Sequence, residues 1–149
     1  MGHFEPRYAY KVYYYKKKAC TPLIIMGDLN SRTGELDERF SDPFFDNCQI
    51  DTSSDFQSLP VRRNCDAAVN SHGEKLMNIC RSFNLMILNG RSVGDPLGSF
   101  TYFDPNIGSS LIDYTICNQT SYSILKNFMV LPQNELSDHC KIITELVLS

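Results

Sequence analysis

A chain of 149 residues, 42% hydrophobic and 21% charged, has the composition of one globular domain with its own core, which excludes fibres and disordered tracts. No apolar run approaches the roughly 20 residues of a membrane span, and the first residues are polar and basic without a signal-peptide core, so an intracellular protein of nucleus or cytoplasm is expected. The net charge of −3 argues against uniform attraction to nucleic acid, but residues 1–18 set Arg7, Lys11, Lys16, Lys17 and Lys18 against Glu5, a local +4 that leaves −7 for the remainder.

That basic opening, taken as a segment spanning 1–21, also holds Tyr8, Tyr10, Tyr13, Tyr14 and Tyr15. Aromatics interleaved with Lys suit base stacking and phosphate contacts, and they equally suit an amphipathic element with Tyr packed inward, the more economical reading. Tyr8, Tyr10, Val12 and Tyr14 alternate as in a strand, whereas Tyr8, Val12 and Tyr15 share a helical face; a helix is expected.

Leu23 to Met26 is a short apolar run that stops at Gly27, which predicts a strand over 23–27 buried on both faces. Asp28 and Asn30 follow, and in an extended backbone their side chains point the same way. Asp28-x-Asn30-x-Arg32 opens like a calcium loop but fails as one, because Thr33 stands where Gly is needed and Arg39 where a bidentate Glu belongs. Ser31 to about Val69 is rich in Asp, Ser, Asn and Arg, with Pro43 and Pro60, and reads as a long excursion with one or two helical turns.

Ser71-His72-Gly73-Glu74 fits a capping box ahead of Leu76, Ile79, Cys80 and Phe83, which predicts a helix over 72–83 closed by a left-handed Asn84. Leu85 to Leu88 is a second buried strand ending at Asn89-Gly90. Phe100–Phe103 and Ser110–Cys117 flank the turn signal Asp104-Pro105-Asn106 with Gly108, a β-hairpin. Ile124–Leu131 and Lys141–Leu148 are further strands, and Asn118-Gln119-Thr120, formally a glycosylation sequon, reads as a plain turn. The six cysteines form no C-x-x-C pair and are read mostly as small core residues.

Four polar signals punctuate the apolar strands: Asp28 with Asn30, Asn89, Ser110 with Asp113, and Ser137-Asp138-His139. Together they offer what phosphodiester hydrolysis uses: carboxylates for a divalent metal, amides for phosphate oxygens, and an imidazole paired with an acid. Asp28 suits the orientation and deprotonation of a water, Asn30 a contact to a non-bridging oxygen, Asp138 a share in the metal, and Asp113 a partner for the ring of His139.

G-D-L-N at 27–30, S-L-I-D-Y at 110–114 and S-D-H at 137–139, in that order, resemble the later motifs of the endonuclease/exonuclease/phosphatase superfamily. Asn70-x-x-Gly73-x-x-Leu76, I-L-N-G-R at 87–91 and G-D-P-L-G-S-F-T-Y at 94–102 are similar, more narrowly, to endonuclease domains of non-long-terminal-repeat retrotransposons. The resemblance implies an α/β fold over 22–149, roughly the C-terminal half of a four-layer α/β sandwich of the deoxyribonuclease-like type, with mixed or antiparallel sheets and flanking helices. It implies Mg²⁺-dependent DNA cleavage, with Mn²⁺ and RNA as the alternative metal and polymer. By the same resemblance Asp28, Asn30, Asp113 and His139 are catalytic, Asp138 and Asp28 are on the metal side, and Asn30, Asn89 and Ser110 are on the substrate side.

The family places a metal-binding Asn and the main metal-ligating Glu ahead of the G-D-x-N strand, yet only 22 residues precede Leu23, and Glu5 does not match that motif. Impaired activity, or a catalytically inactive chain acting as a nucleic-acid or protein interaction module, is the alternative expectation. Self-association through uncovered sheet accompanies both.

Overall fold

Ile24 and Ile25 are β-branched and stiff at χ1, which favours extension, and Gly27 follows at φ 138°, a conformation L side chains avoid. In the computed structural model, which describes residues 21–39 and 59–147, this run forms strand β1, Ile24–Asp28. The basic segment 1–20 and residues 40–58 of the excursion expected to hold one or two helical turns lie outside the described residues.

The centre of the sheet is a later strand, β5, Asp113–Cys117, buried along its whole length. β1 pairs antiparallel with it from Ile24 opposite Cys117 to Asp28 opposite Asp113. On its other side runs β2, Met86–Ile87, with Met86 opposite Cys117, giving the order β1-β5-β2. Burial on both faces therefore belongs to β5; among the described residues β1 is an edge strand with one neighbour, and its Ile25 and Met26 are 39% and 47% exposed.

Helix α1, Ser71–Phe83, covers one face of this sheet. Met77 and Cys80 pack with Leu85, Ile87, Leu111, Tyr114 and Ile116, and Leu76 joins their edge. Ile79 and Phe83, expected on the buried face, are about half exposed, since the stripe that meets the sheet runs through Gly73, Met77 and Cys80. Gly73 cannot carry a side chain: a Cβ there would lie 1.9 Å from the carbonyl oxygen of Arg32. Residues that alternate onto the opposite face, Met86 and Cys117, pack with Leu88, Leu59 and Phe128. Phe128 comes from β6, Leu125–Val130, which pairs antiparallel with β7, Ile142–Leu146, and a hydroxyl contact of 3.0 Å between Thr115 and Thr144 ties β7 to β5. A short helix α2, Gln119–Ser123, capped by Asn118, replaces the plain turn expected there. Cys80, Cys117 and Cys140 are buried as free thiols, whereas Cys65 is exposed.

The cap of α1 is Asn70 rather than Ser71: its Oδ1 accepts from the N–H of Gly73 at 2.8 Å and from that of Arg32 at 3.0 Å. Asn84 closes the helix at φ 52°, ψ 48°, the left-handed stop expected. Because Asn70 satisfies a helix donor and a loop donor at once, Asn70→Ala is expected to cost about 1–2 kcal/mol in urea unfolding, and Ser71→Ala only a few tenths. Equal losses at both positions would return the cap to Ser71.

The expected single strand over 110–117 is broken. β3, Tyr102–Asp104, pairs with β4, Gly108–Ser110, as a separate hairpin, and the chain crosses at Leu111-Ile112 into β5. The crossing is held by side chains: Leu111 N–H donates to Asp66 Oδ2 at 3.0 Å and Ile112 N–H to Thr101 Oγ1 at 3.1 Å. The described flanks of the long excursion are likewise pinned, with Glu38, Arg62 and Asp66 buried and Thr33 bridged to Val69. Among the described residues the architecture is α/β with antiparallel strand pairs, and no helix is long and apolar enough to cross a membrane.

Candidate functional site

Asp28 and Asp113 form the last pair of the β1–β5 ladder, so two carboxylates stand side by side where the sheet ends. The Asp113 backbone is fixed from behind, its N–H donating to Thr101 Oγ1 at 3.0 Å. Its carboxylate meets Nδ1 of His139 at 3.0 Å through Oδ2 and 3.2 Å through Oδ1. That network assigns the ring proton to Nδ1, donating to the acid, and leaves Nε2 as the free ring nitrogen.

His139 arrives on the loop between β6 and β7, and this loop is stitched to β3. Phe103 N–H donates to the carbonyl of Asp138 at 2.9 Å, and Cys140 N–H to the carbonyl of Thr101 at 2.7 Å. The Tyr102 ring lies against that of His139, centroids 4.9 Å apart. Thr101, fully buried, therefore holds both members of the pair: its hydroxyl takes the Asp113 strand and its carbonyl the His139 loop. Sequence reading gave Thr101 and Tyr102 no site role, although both lie in the motif at 94–102, since nothing local marks a threonine whose hydroxyl partners lie 11 and 12 residues away.

Ligand atoms of Asp28, Asp113 and His139 all lie within 4.8 Å of one another, the one such metal-capable group among the described residues. Asp138, expected on the metal side beside Asp28, is exposed and outside this group. The alternation argument for Asn30 does not hold, because Asn30 turns left-handed at φ 48° and its N–H donates to Asp28 Oδ1 at 2.8 Å, an Asx turn. Asn30 stays exposed beside Asp28, and one Asp28 oxygen remains outside the turn. Asn89 is fully buried: its amide donates to the Asp113 carbonyl at 3.0 Å and its Oδ1 accepts from Thr115 N–H at 3.2 Å. With both polar ends spent on β5, it extends the ladder where β2 stops instead of facing a groove. Ser110 is buried in β4 opposite Tyr102.

The imidazole of His139 is pushed above its ordinary 6.5, first by the hydrogen bond to Asp113, against some loss of solvent, and further by the charges of Asp113, Asp28 and Asp138. The folded protein thus holds this proton more tightly than the unfolded chain. The associated stability is fully present below pH 6.5 and fades as pH rises through the folded value. Asp113→Asn is expected to bring the His139 titration, followed by NMR of the ring, back toward 6.5; an unmoved titration would remove Asp113 as the cause.

Comparison with family models, with curated proteins and with solved structures returns no match for this chain.

Proposed function

We propose that this chain carries the later catalytic loops of a metal-dependent phosphodiesterase that cleaves DNA, of the retrotransposon endonuclease type in the endonuclease/exonuclease/phosphatase superfamily, acting inside the cell. One observation carries the reading: an acid-paired histidine and a second, solvent-facing acid gather within 4.8 Å at the end of the sheet, from positions far apart in sequence. An acid-paired histidine beside a second carboxylate is the arrangement that acid–base chemistry on a phosphate uses.

In this reading Asp28 orients the attacking water and takes its proton, and the Asn30 amide donates to a non-bridging oxygen. Protonated His139, its charge held by Asp113 and its ring by Tyr102, faces the developing negative charge through Nε2. The donors suit Mg²⁺ or Mn²⁺ in part. Asp28 would offer the oxygen that lies outside its turn, while Asp113 is committed to His139 and Asp138 lies outside the group, so water and phosphate oxygens would have to supply most of the ion's ligands. The ion, when bound, offsets charge on the phosphoryl oxygens.

The test is nicking of supercoiled plasmid with Mg²⁺ by the wild type and by His139→Ala. No nicking, or nicking unchanged by the substitution, sinks the reading. A second reading, an inactive module that binds nucleic acid or protein, is favoured by Leu23, Ile25 and Met26, all more than a third exposed on or next to β1, an edge strand among the described residues. It gains if nicking is absent while the chain self-associates in sedimentation.

A further inference from the structure

Away from the Asp113–His139 pair, the segment Arg62–Asn64 is held rigidly. Arg63 N–H donates to the carbonyl of Gly90 and Cys65 N–H to that of Gly98. Gly90 and Gly98 both take positive φ, and a Cβ on either would strike the Arg63 carbonyl oxygen, at 1.8 and 2.3 Å. Two glycine turns thus clamp this stretch of backbone.

The clamped segment walls a cavity of about 470 Å³, lined by Arg62, Arg63, Asn64, Cys65, Glu35 and Leu97. Arg62 is 6% exposed and only part of its fork is used: Nη2 donates to Thr33 Oγ1, Gly34 O and Leu36 O, while Nε and Nη1, also buried, have no hydrogen-bond partner among the described residues. Buried donors without acceptors are costly and uncommon, and unpartnered guanidinium N–H groups suit an anion such as phosphate. The neighbouring Arg63 side chain is exposed, with no ion pair among the described residues. Asn64 is locked by its amide to Gly34 O at 2.9 Å, and the half-exposed Leu97 supplies an apolar wall suited to a sugar. The wall is also mechanically joined to the reacting end. Asn64 Oδ1 accepts from Asp66 N–H at 2.8 Å, and the Asp66 carboxylate takes the N–H of Leu111, two residues before Asp113.

We propose that this cavity is a second phosphate site, seating a phosphodiester of the bound polynucleotide away from the bond that is cut, with Arg63 at its mouth and Arg62 in its wall. The identity of the polymer rests on the function proposed above; the anion site rests on the cavity and its unpartnered guanidinium.

The test is fluorescence anisotropy of a labelled DNA duplex with the full chain in EDTA, where no cleavage enters. Arg63→Glu is expected to weaken binding about tenfold and to lower the slope of log K against log salt by about 0.9, one phosphate contact, while Lys126→Glu, an exposed charge on β6, leaves both near wild type. Arg62→Lys, which loses the fork, should weaken binding as well; should it fail to fold, the Arg63 result decides. Wild-type affinity and slope in Arg63→Glu overturn the proposal, as do equal losses in Lys126→Glu, which would report net charge alone. Titration with inorganic phosphate separates the sources: a shift of the Arg62 Nε–H resonance together with unaltered DNA binding by Arg63→Glu would mean a free-phosphate site and overturn the polynucleotide assignment. An absence of plasmid nicking leaves the binding result intact, so the two failures are distinguishable.

Discussion

Replacing His139 with alanine is expected to lower Mg²⁺-dependent plasmid nicking by about 10²–10⁴-fold, the range for loss of a positioned acid–base group. On the proposed function the ring acts at one point, through Nε2, and it is held by the Asp113 carboxylate at 3.0 Å, the Tyr102 ring at 4.9 Å and the backbone bonds of its loop to Thr101 and Phe103. Asp113→Asn keeps the shape but not the charge, so it should cost a comparable factor. Because the two act as a unit, the double variant should be little worse than either single one. The raised titration of His139 adds a signature: nicking that needs the protonated ring falls as pH rises through its folded pKa, and in Asp113→Asn that fall moves toward 6.5. Multiplicative losses in the double variant would mean that the two groups act separately.

A large loss of stability is expected at Asp66. This acid is 2% exposed and accepts four donors: Arg32 Nε at 2.8 Å and Nη2 at 2.6 Å, Leu111 N–H at 3.0 Å and Ala68 N–H at 3.1 Å. Asp66→Ala leaves the Leu111 N–H buried without an acceptor, about 1–3 kcal/mol, whereas Arg32, 37% exposed, recovers much of its loss from water. A total of about 2–4 kcal/mol in urea unfolding follows, and a loss under about 0.5 kcal/mol, the scale of an ordinary surface change, would show that the crossing at Leu111 is held otherwise. Burial pushes the Asp66 carboxyl up, but the bonds from Arg32, Leu111 and Ala68 outweigh it and its pKa is lowered below 3.8. Its contribution is therefore present above pH 3.8 and lost as pH falls through the lower folded value. Asp66→Asn, which keeps an acceptor for Leu111, should lose about half as much.

Strands were readable where hydrophobic runs are bounded by turn residues, and β1, β2, β6 and β7 lie within two residues of their expected limits. Errors came from partners a local pattern does not contain. Sequence alone places Ile25 and Met26 in a core, because exposure at a sheet edge depends on the number of neighbours. Ile79 and Phe83 fit the helical period as well as Met77 does, and the direction in which α1 faces the sheet decided between them. Asn89 carries a site-like signal, an amide at a strand end, yet its burial turns that amide into a structural bridge.

The sequence by itself determined the order of the elements, the left-handed stop at Asn84, the lack of any segment suited to a membrane span among the described helices, and the candidate acids and histidine. These follow from residue type and short-range spacing, which act through local backbone energetics. Only the tertiary structure decided that Asp113 rather than Asp138 stands with Asp28 and His139, that Thr101 secures both arms of the pair, and that Arg62 is buried with half its fork unused. Each of those depends on which strand lies beside which. That choice is fixed when the two faces of the β1-β5-β2 sheet are covered, by α1 on one side and the β6–β7 hairpin on the other, a condition that long-range packing sets.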